Sequence, residues 1–258
     1  MKNKVWLGRY IGVESTYHAL DPRSKLLMIL VNVLMIMFIS TWAQLVLAAV
    51  FVVICLFMTN ISIRFYFKQA LFLKYMYVFF IVFFAFTSGT EVLFSLGSIS
   101  IYLDGIIQGI FYSLKMMLFV VMGGLLTFTT APNELVAGAR ELIKTKSAEQ
   151  FAFMTSLSIR LIPMILDEVR LIFSAQQSRG LDFSDIPLAE KLNKLMAIII
   201  PAISNTIKRL TTMVDVMECR GYIVGDHRTS IHELRWTLKD TLFLSSSIAM
   251  LFLIIFVK

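Results

Sequence analysis

From Leu26 to Met58 the chain runs 33 residues without a charged side chain. No single element can hold such a run. As one helix it would be about 50 Å long, against a bilayer core of about 30 Å. It must therefore turn back. The stretch Ser40-Thr41-Trp42-Ala43-Gln44 is the one place where polar residues and an interfacial tryptophan coincide. Two short spans follow, residues 25–40 and 43–59.

Three further apolar stretches have spanning length, at 70–88, 106–128 and 237–257. Hydrophobic residues make up 58% of the chain and charged ones 16%, a balance that points to an integral membrane protein. Glycine and proline are sparse, so the spans are helices and not barrel strands. The expected fold is all-α: a polytopic membrane protein with about five transmembrane helices.

The basic residues set its orientation. Lys2, Lys4, Arg9, Arg23 and Lys25 precede the first span, and Arg64, Lys68 and Lys74 follow the second. The turn at 40–44 has no Lys or Arg, nor has 88–105, whereas 129–236 carries thirteen. By the positive-inside rule the N-terminus and 129–236 are cytoplasmic, and the C-terminus emerges outside. Nothing in the first eighteen residues resembles a signal peptide, so the first apolar run is expected to remain.

Residues 129–236 are apolar yet too charged to span, and are expected to form a cytosolic domain between a membrane domain (1–128) and a last span (237–258). A short helix is expected near 133–145, with Thr130 or Asn133 as cap and Glu134 in its first turn. Two long amphipathic helices follow. One carries Met154, Leu157, Leu161, Ile165, Val169 and Ile172. The other carries Leu188, Leu192, Leu195, Ile199, Ile203, Ile207, Leu210, Val214 and Met217. Such stripes need a partner surface: the membrane interface, each other, or another subunit. The two segments repeat a plan. Pro163 is followed 16 residues later by Arg179-Gly180, and Pro201 is followed 19 residues later by Arg220-Gly221. Each proline should kink its helix.

Chemistry of other kinds is poorly supported. There is no phosphate-binding GxxxxGK[ST] loop, and the basic residues form no stripe interleaved with aromatics, so nucleic acid is not a partner. His18, His227 and His232 do not have metal-ligand spacing, and Cys55 and Cys219 suit neither a disulfide nor a zinc site. No metal, cofactor or catalytic residue is expected. Asp167 and Glu168 are adjacent and so point apart on a helix, as a solvated face or a local pair with Arg170. Gly105 and Gly109 form a GxxxG suited to close helix packing. Lys115 is an intramembrane cation, a hint of function unless it snorkels or faces a partner.

The Arg-Gly pairs have two compatible readings. One is helix capping, with glycine in the left-handed conformation and arginine complementing the helix dipole. The other is docking. A guanidinium held at a helix tip beside a small residue (Ser178 or Cys219) can enter a groove and pair with a carboxylate.

The stretches "GRY" at 8–10, "HALDPRSKLL" at 18–27, "TTAPNEL" at 129–135, "IRLIPMILDEVRLIFSAQQSRG" at 159–180 and "IIIPAISNTIKRLTTMVDVMECRGY" at 198–222 resemble one family. It is the transmembrane T component of energy-coupling factor transporters, bacterial ABC-type importers of vitamins and metal ions. The N-terminal motifs are similar to those of shared T components, which serve several vitamin-binding S subunits. The resemblance implies a cytosolic coupling domain whose two helix tips dock on two ABC ATPase subunits. On this chain the tips would be Ser178, Arg179, Gly180 and Cys219, Arg220, Gly221, with small residues replacing the family's commoner alanine. It also implies an S component as membrane partner, and flexure at Pro163 and Pro201. The competing expectation is the substrate-translocating permease of a conventional ABC importer. A membrane-embedded enzyme is a third, disfavoured by the scarcity of acidic residues in the spans.

Overall fold

The computed structural model describes residues 15–89, 92–96, 99–180, 188–223 and 234–256. The "GRY" stretch, His227, His232 and Lys258 lie outside them. Nine helices and a two-stranded hairpin are found among the described residues. They divide into two compact units, residues 1–142 with 233–258, and residues 143–232.

The first unit contains the apolar spans. Helix α1 (Pro22–Phe38) starts where sequence chemistry puts it: Asp21 caps it through Arg23 N–H at 2.8 Å, with Pro22 in the first turn. The expected turn falls at Ile39–Thr41. Helix α2 (Trp42–Met58) opens with a capping box between Thr41 and Gln44. Gln44 also reaches the last helix of the unit, donating to the Ile254 carbonyl at 3.0 Å. Along α2 the residues Leu45, Ala48, Val52 and Cys55 are buried at helical spacing. They meet Met28 and Met35 of α1 in the unit's core.

The third span differs from expectation. In place of one straight helix over 70–88 there are two, α3 (Ile63–Phe72) and α4 (Lys74–Thr87), bent by 52° at Leu73. The reason is in the residues. Arg64, Lys68 and Gln69 make α3 too polar to lie wholly within the hydrocarbon core, whereas α4 carries no charge after Lys74. Helix α4 leads to an antiparallel hairpin, β1 (Val92–Leu96) and β2 (Ile99–Tyr102), pairing Phe94 with Ile101 and Leu96 with Ile99. Its β-branched and aromatic residues around Gly97-Ser98 are a hairpin signal, and the small sheet leaves the fold class all-α.

Helix α5 (Leu103–Thr129) and helix α9 (Leu238–Phe256) are each long and apolar enough to cross a membrane, and the bent α3–α4 pair can serve as one span. Helices α1 and α2, at 17 residues or about 26 Å, are the short pair made from the first apolar run. Two sequence hints resolve here. A Cβ on Gly105 would collide with the carbonyl oxygens of Phe84 and Ser88, and one on Gly109 would lie 2.7 Å from Ile81 Cα. The GxxxG thus seats α5 on the backbone of α4. Gly109→Leu is expected to cost about 2 kcal/mol of stability. A lower unfolding midpoint in detergent is the check, and an unchanged midpoint counts against the packing. Lys115, the intramembrane cation, donates to the carbonyls of Met37 and Ile39 at 3.1 and 3.0 Å. It caps the C-terminal end of α1, whose last carbonyls have no helical partner.

Helix α6 (Pro132–Ile143) belongs mainly to the first unit. The second unit is built from α7 (Lys146–Ser178) and α8 (Leu188–Cys219).

Candidate functional site

Both long helices end in the same way. Thr145 caps the start of α7, accepting from Ala148 N–H at 3.3 Å, and Glu149 sits in the first turn. At its far end, Gly180 takes φ +89° and its N–H donates to the Gln177 carbonyl at 3.0 Å. In α8, Gly221 takes φ +77°; its N–H donates to Glu218 at 2.9 Å, and Tyr222 N–H donates to Met217 at 3.0 Å. The α8 end is a complete Schellman motif, and the α7 end shows its inner bond. A Cβ at either glycine would meet nothing within 4 Å. Glycine is therefore used at both positions for its positive φ and not for want of space.

The caps expose what precedes them. Arg179 and Arg220 are both exposed, and neither has an ion-pair partner among the described residues. The small neighbours differ slightly. Ser178 turns its hydroxyl back to the Ser174 carbonyl at 3.1 Å, and Cys219 is an exposed free thiol. Each tip is thus a guanidinium on a hydrogen-bonded turn, with little bulk beside it.

The two helices are joined by a feature that sequence reasoning missed. Glu168 of α7 is 8% exposed and accepts from Arg209 of α8 at 2.6 Å and from Asn205 at 2.8 Å. Its neighbour Asp167 makes the expected local pair with Arg170, at 3.1 Å. A signal for the clamp was present. Leu161, Ile165, Glu168 and Ile172 follow helical spacing, so Glu168 is a charge inside an apolar stripe, which requires a partner. Near the other end, the Phe153 ring stacks on Tyr222 with centroids 5.4 Å apart.

These contacts fix where the tips are. The pairs 153 with 222 and 168 with 205 and 209 run in opposite senses, so the helices lie antiparallel. Arg179 stands 11 residues beyond Glu168, and Arg220 stands 11 beyond Arg209, about 16 Å of helix in each case. The directions are opposite, which sets the arginines about 35 Å apart.

Packing also sorts the apolar stripes. On α8 the residues turned inward are Ile198 and Ala202, at 4% and 5% exposure. The longer stripe, with Leu192, Ile199, Ile203, Ile207 and Val214, is exposed. Of the three surfaces considered for it, α7 is eliminated. Pro163 and Pro201 lie inside continuous helices. Each lacks the N–H that would bond the carbonyl four residues earlier, at Ile159 and Ala197.

Known proteins show the same pattern of similarity. The family described as CbiQ, cobalt transport protein, matches residues 14–231. The energy-coupling factor transporter transmembrane protein EcfT of Streptococcus equi subsp. equi is 36% identical over 248 residues, covering 93% of this chain and 91% of that protein. The protein of the same name from Lactococcus lactis subsp. cremoris is 32% identical over 255 residues, covering 96% of each. That of Bacillus subtilis is 30% identical over 264 residues, covering all of both. Paired arginine tips on an antiparallel helix pair, a membrane unit built from apolar helices and similarity from end to end converge: this chain belongs to the family of transmembrane T components of energy-coupling factor transporters.

Proposed function

We propose that the chain is the scaffold through which two ABC ATPase subunits drive a substrate-binding S component in a bacterial cell membrane, for vitamin or micronutrient uptake. One observation carries the docking assignment: two exposed arginines, without an ion-pair partner among the described residues, at capped helix ends about 35 Å apart. That span suits one socket on each of two motor subunits. A carboxylate-bearing groove on each ATPase would receive Arg179 with Ser178 and Gly180, or Arg220 with Cys219 and Gly221, by bidentate pairing. ATP binding and hydrolysis belong to those partners. The outward stripe of α8 supplies the apolar face for the S component, with Pro163 and Pro201 as the points where α7 and α8 flex.

Purification from mild detergent tests the assembly. Two ABC ATPases and a small hydrophobic S protein are expected to co-elute. Elution with a periplasmic or surface-tethered binding protein instead would favour a conventional permease. Topology follows from the charge asymmetry: the N-terminus and coupling unit are cytoplasmic and the C-terminus extracellular. A reporter fused after Lys258 is expected to read as external; a cytoplasmic signal refutes the five-span arrangement.

A further inference from the structure

The polypeptide passes between the two units twice, leaving the first after Leu142, at the end of α6, and returning just before Leu234, ahead of α9. Both passages are held by the same short stretch, Asp21-Pro22-Arg23-Ser24-Lys25. On the outgoing side, Lys25 Nζ donates to the Thr129 carbonyl at 3.3 Å. Helix α6 lies so close that a Cβ on Gly138 would be 3.1 Å from Pro22 Cβ. On the returning side, Arg23 Nη2 donates to the Leu234 carbonyl at 3.0 Å. Asp240, fully buried in the first turn of α9, accepts from Asp21 N–H at 2.7 Å and from Ser24 Oγ at 2.8 Å. Its other oxygen accepts from Thr237 N–H and Oγ1 at 2.8 and 2.6 Å.

We propose that the first turn of α1 is a positioning element that anchors both chain connections to the coupling unit, so that movement of α7 and α8 reaches the membrane helices instead of being absorbed by slack connections. This rests on the coupling function proposed above. The physical reason for placing it here is the rigidity of a buried, multiply bonded charge. Asp240 accepts four hydrogen bonds at a helix N-terminus, where the helix dipole also favours a carboxylate. Lys25 is as deeply buried and donates to two backbone carbonyls, that of His18 just before α1 and that of Thr129 on the outgoing side. None of these side chains lies at the Arg-Gly tips, so binding to the ATPases is separable from anchoring.

The test uses the whole complex, with ATPases and a riboflavin-binding S component, in proteoliposomes where the unaltered complex imports radiolabelled riboflavin. The readout is riboflavin imported per ATP hydrolysed, for assembled complex only. Arg23→Gln is expected to lower that ratio about five-fold while hydrolysis continues, and Arg23→Lys to stay within about two-fold of the unaltered ratio. Inserting three glycines between Glu233 and Leu234 leaves every anchoring side chain in place but lengthens the returning connection on the coupling-unit side of Leu234, and should uncouple to a similar extent. A merely structural contact would reduce the amount of complex and leave the ratio unchanged; that result in both Arg23→Gln and the insertion overturns the proposal. Failure of the coupling function itself would show elsewhere, as normal import by a complex whose Arg179 and Arg220 have been reversed in charge.

Discussion

Replacing both Arg179 and Arg220 by glutamate is expected to reduce ATP-driven uptake to background, with the chain still in the membrane and the ATPases no longer co-purifying. The size of the effect follows from the geometry. Each arginine is exposed and offers its whole guanidinium fork to a partner. A charge-assisted pair of that kind contributes about 2 kcal/mol, and reversing the charge adds repulsion of similar size. Over two sites this sums to about 8 kcal/mol, or between five and six decades in affinity. The fold should be spared because the caps are made by backbone bonds and by the glycines at φ +89° and +77°, not by the arginine side chains. Single replacements should weaken assembly without abolishing it. Lysine at both positions keeps the charge but loses the fork, and should fall between. Normal uptake by the double glutamate variant would remove the docking assignment.

Glu168→Lys is expected to have the largest effect on the coupling unit itself. It takes the acceptor from Arg209 and Asn205 and sets a second cation beside the guanidinium. Breaking a buried pair costs about 3–5 kcal/mol, reduced here because the Arg209 side chain is 53% exposed and partly screened. A loss of about 2–3 kcal/mol is therefore expected. Hydrogen exchange of the α7 and α8 amides should quicken, while amides of α5 and α9 in the other unit hold their protection. Exchanging the two residues, Glu168→Arg with Arg209→Glu, should recover part of the loss as a coupling energy of about 1 kcal/mol. Unchanged exchange in Glu168→Lys would mean that the pair does not hold the helices together.

Local chemistry with an obligatory answer was readable from the sequence. The turn inside the long apolar run could fall only at residues 40–44, and the structure places it at Ile39–Thr41, before the Thr41–Gln44 box. Gly180 and Gly221 announced left-handed caps, because few other residues sit past a helix end at positive φ. Asp21-Pro22 announced the start of α1. Features that depend on the pairing of distant segments were not readable. The bend at Leu73 comes from polar residues of α3 that a hydropathy window averages with the apolar α4. The α8 stripe was identified correctly as apolar, but periodicity cannot say which partner a face meets, and α7 meets the other face. For Lys115 both a functional and a packing role stayed open, because its acceptors, the carbonyls of Met37 and Ile39, are almost eighty residues away in sequence. Glu168 was hidden by Asp167, whose pairing with Arg170 offered a sufficient local explanation for both.

The position of the Glu168–Arg209 clamp has a mechanical consequence. With 11 residues from it to each arginine, the clamp stands midway between the two tips, with arms of equal length. Equal and opposite pushes at the tips then give a pure torque about the clamp and no net sideways force on the scaffold. Two motors docked at the tips and pushing in opposite directions together would turn the helix pair as one body. A push on one tip alone would leave an unbalanced load that shifts the whole pair. If the tips carry the motors as proposed, synchronous and solitary strokes would load the scaffold differently by geometry alone.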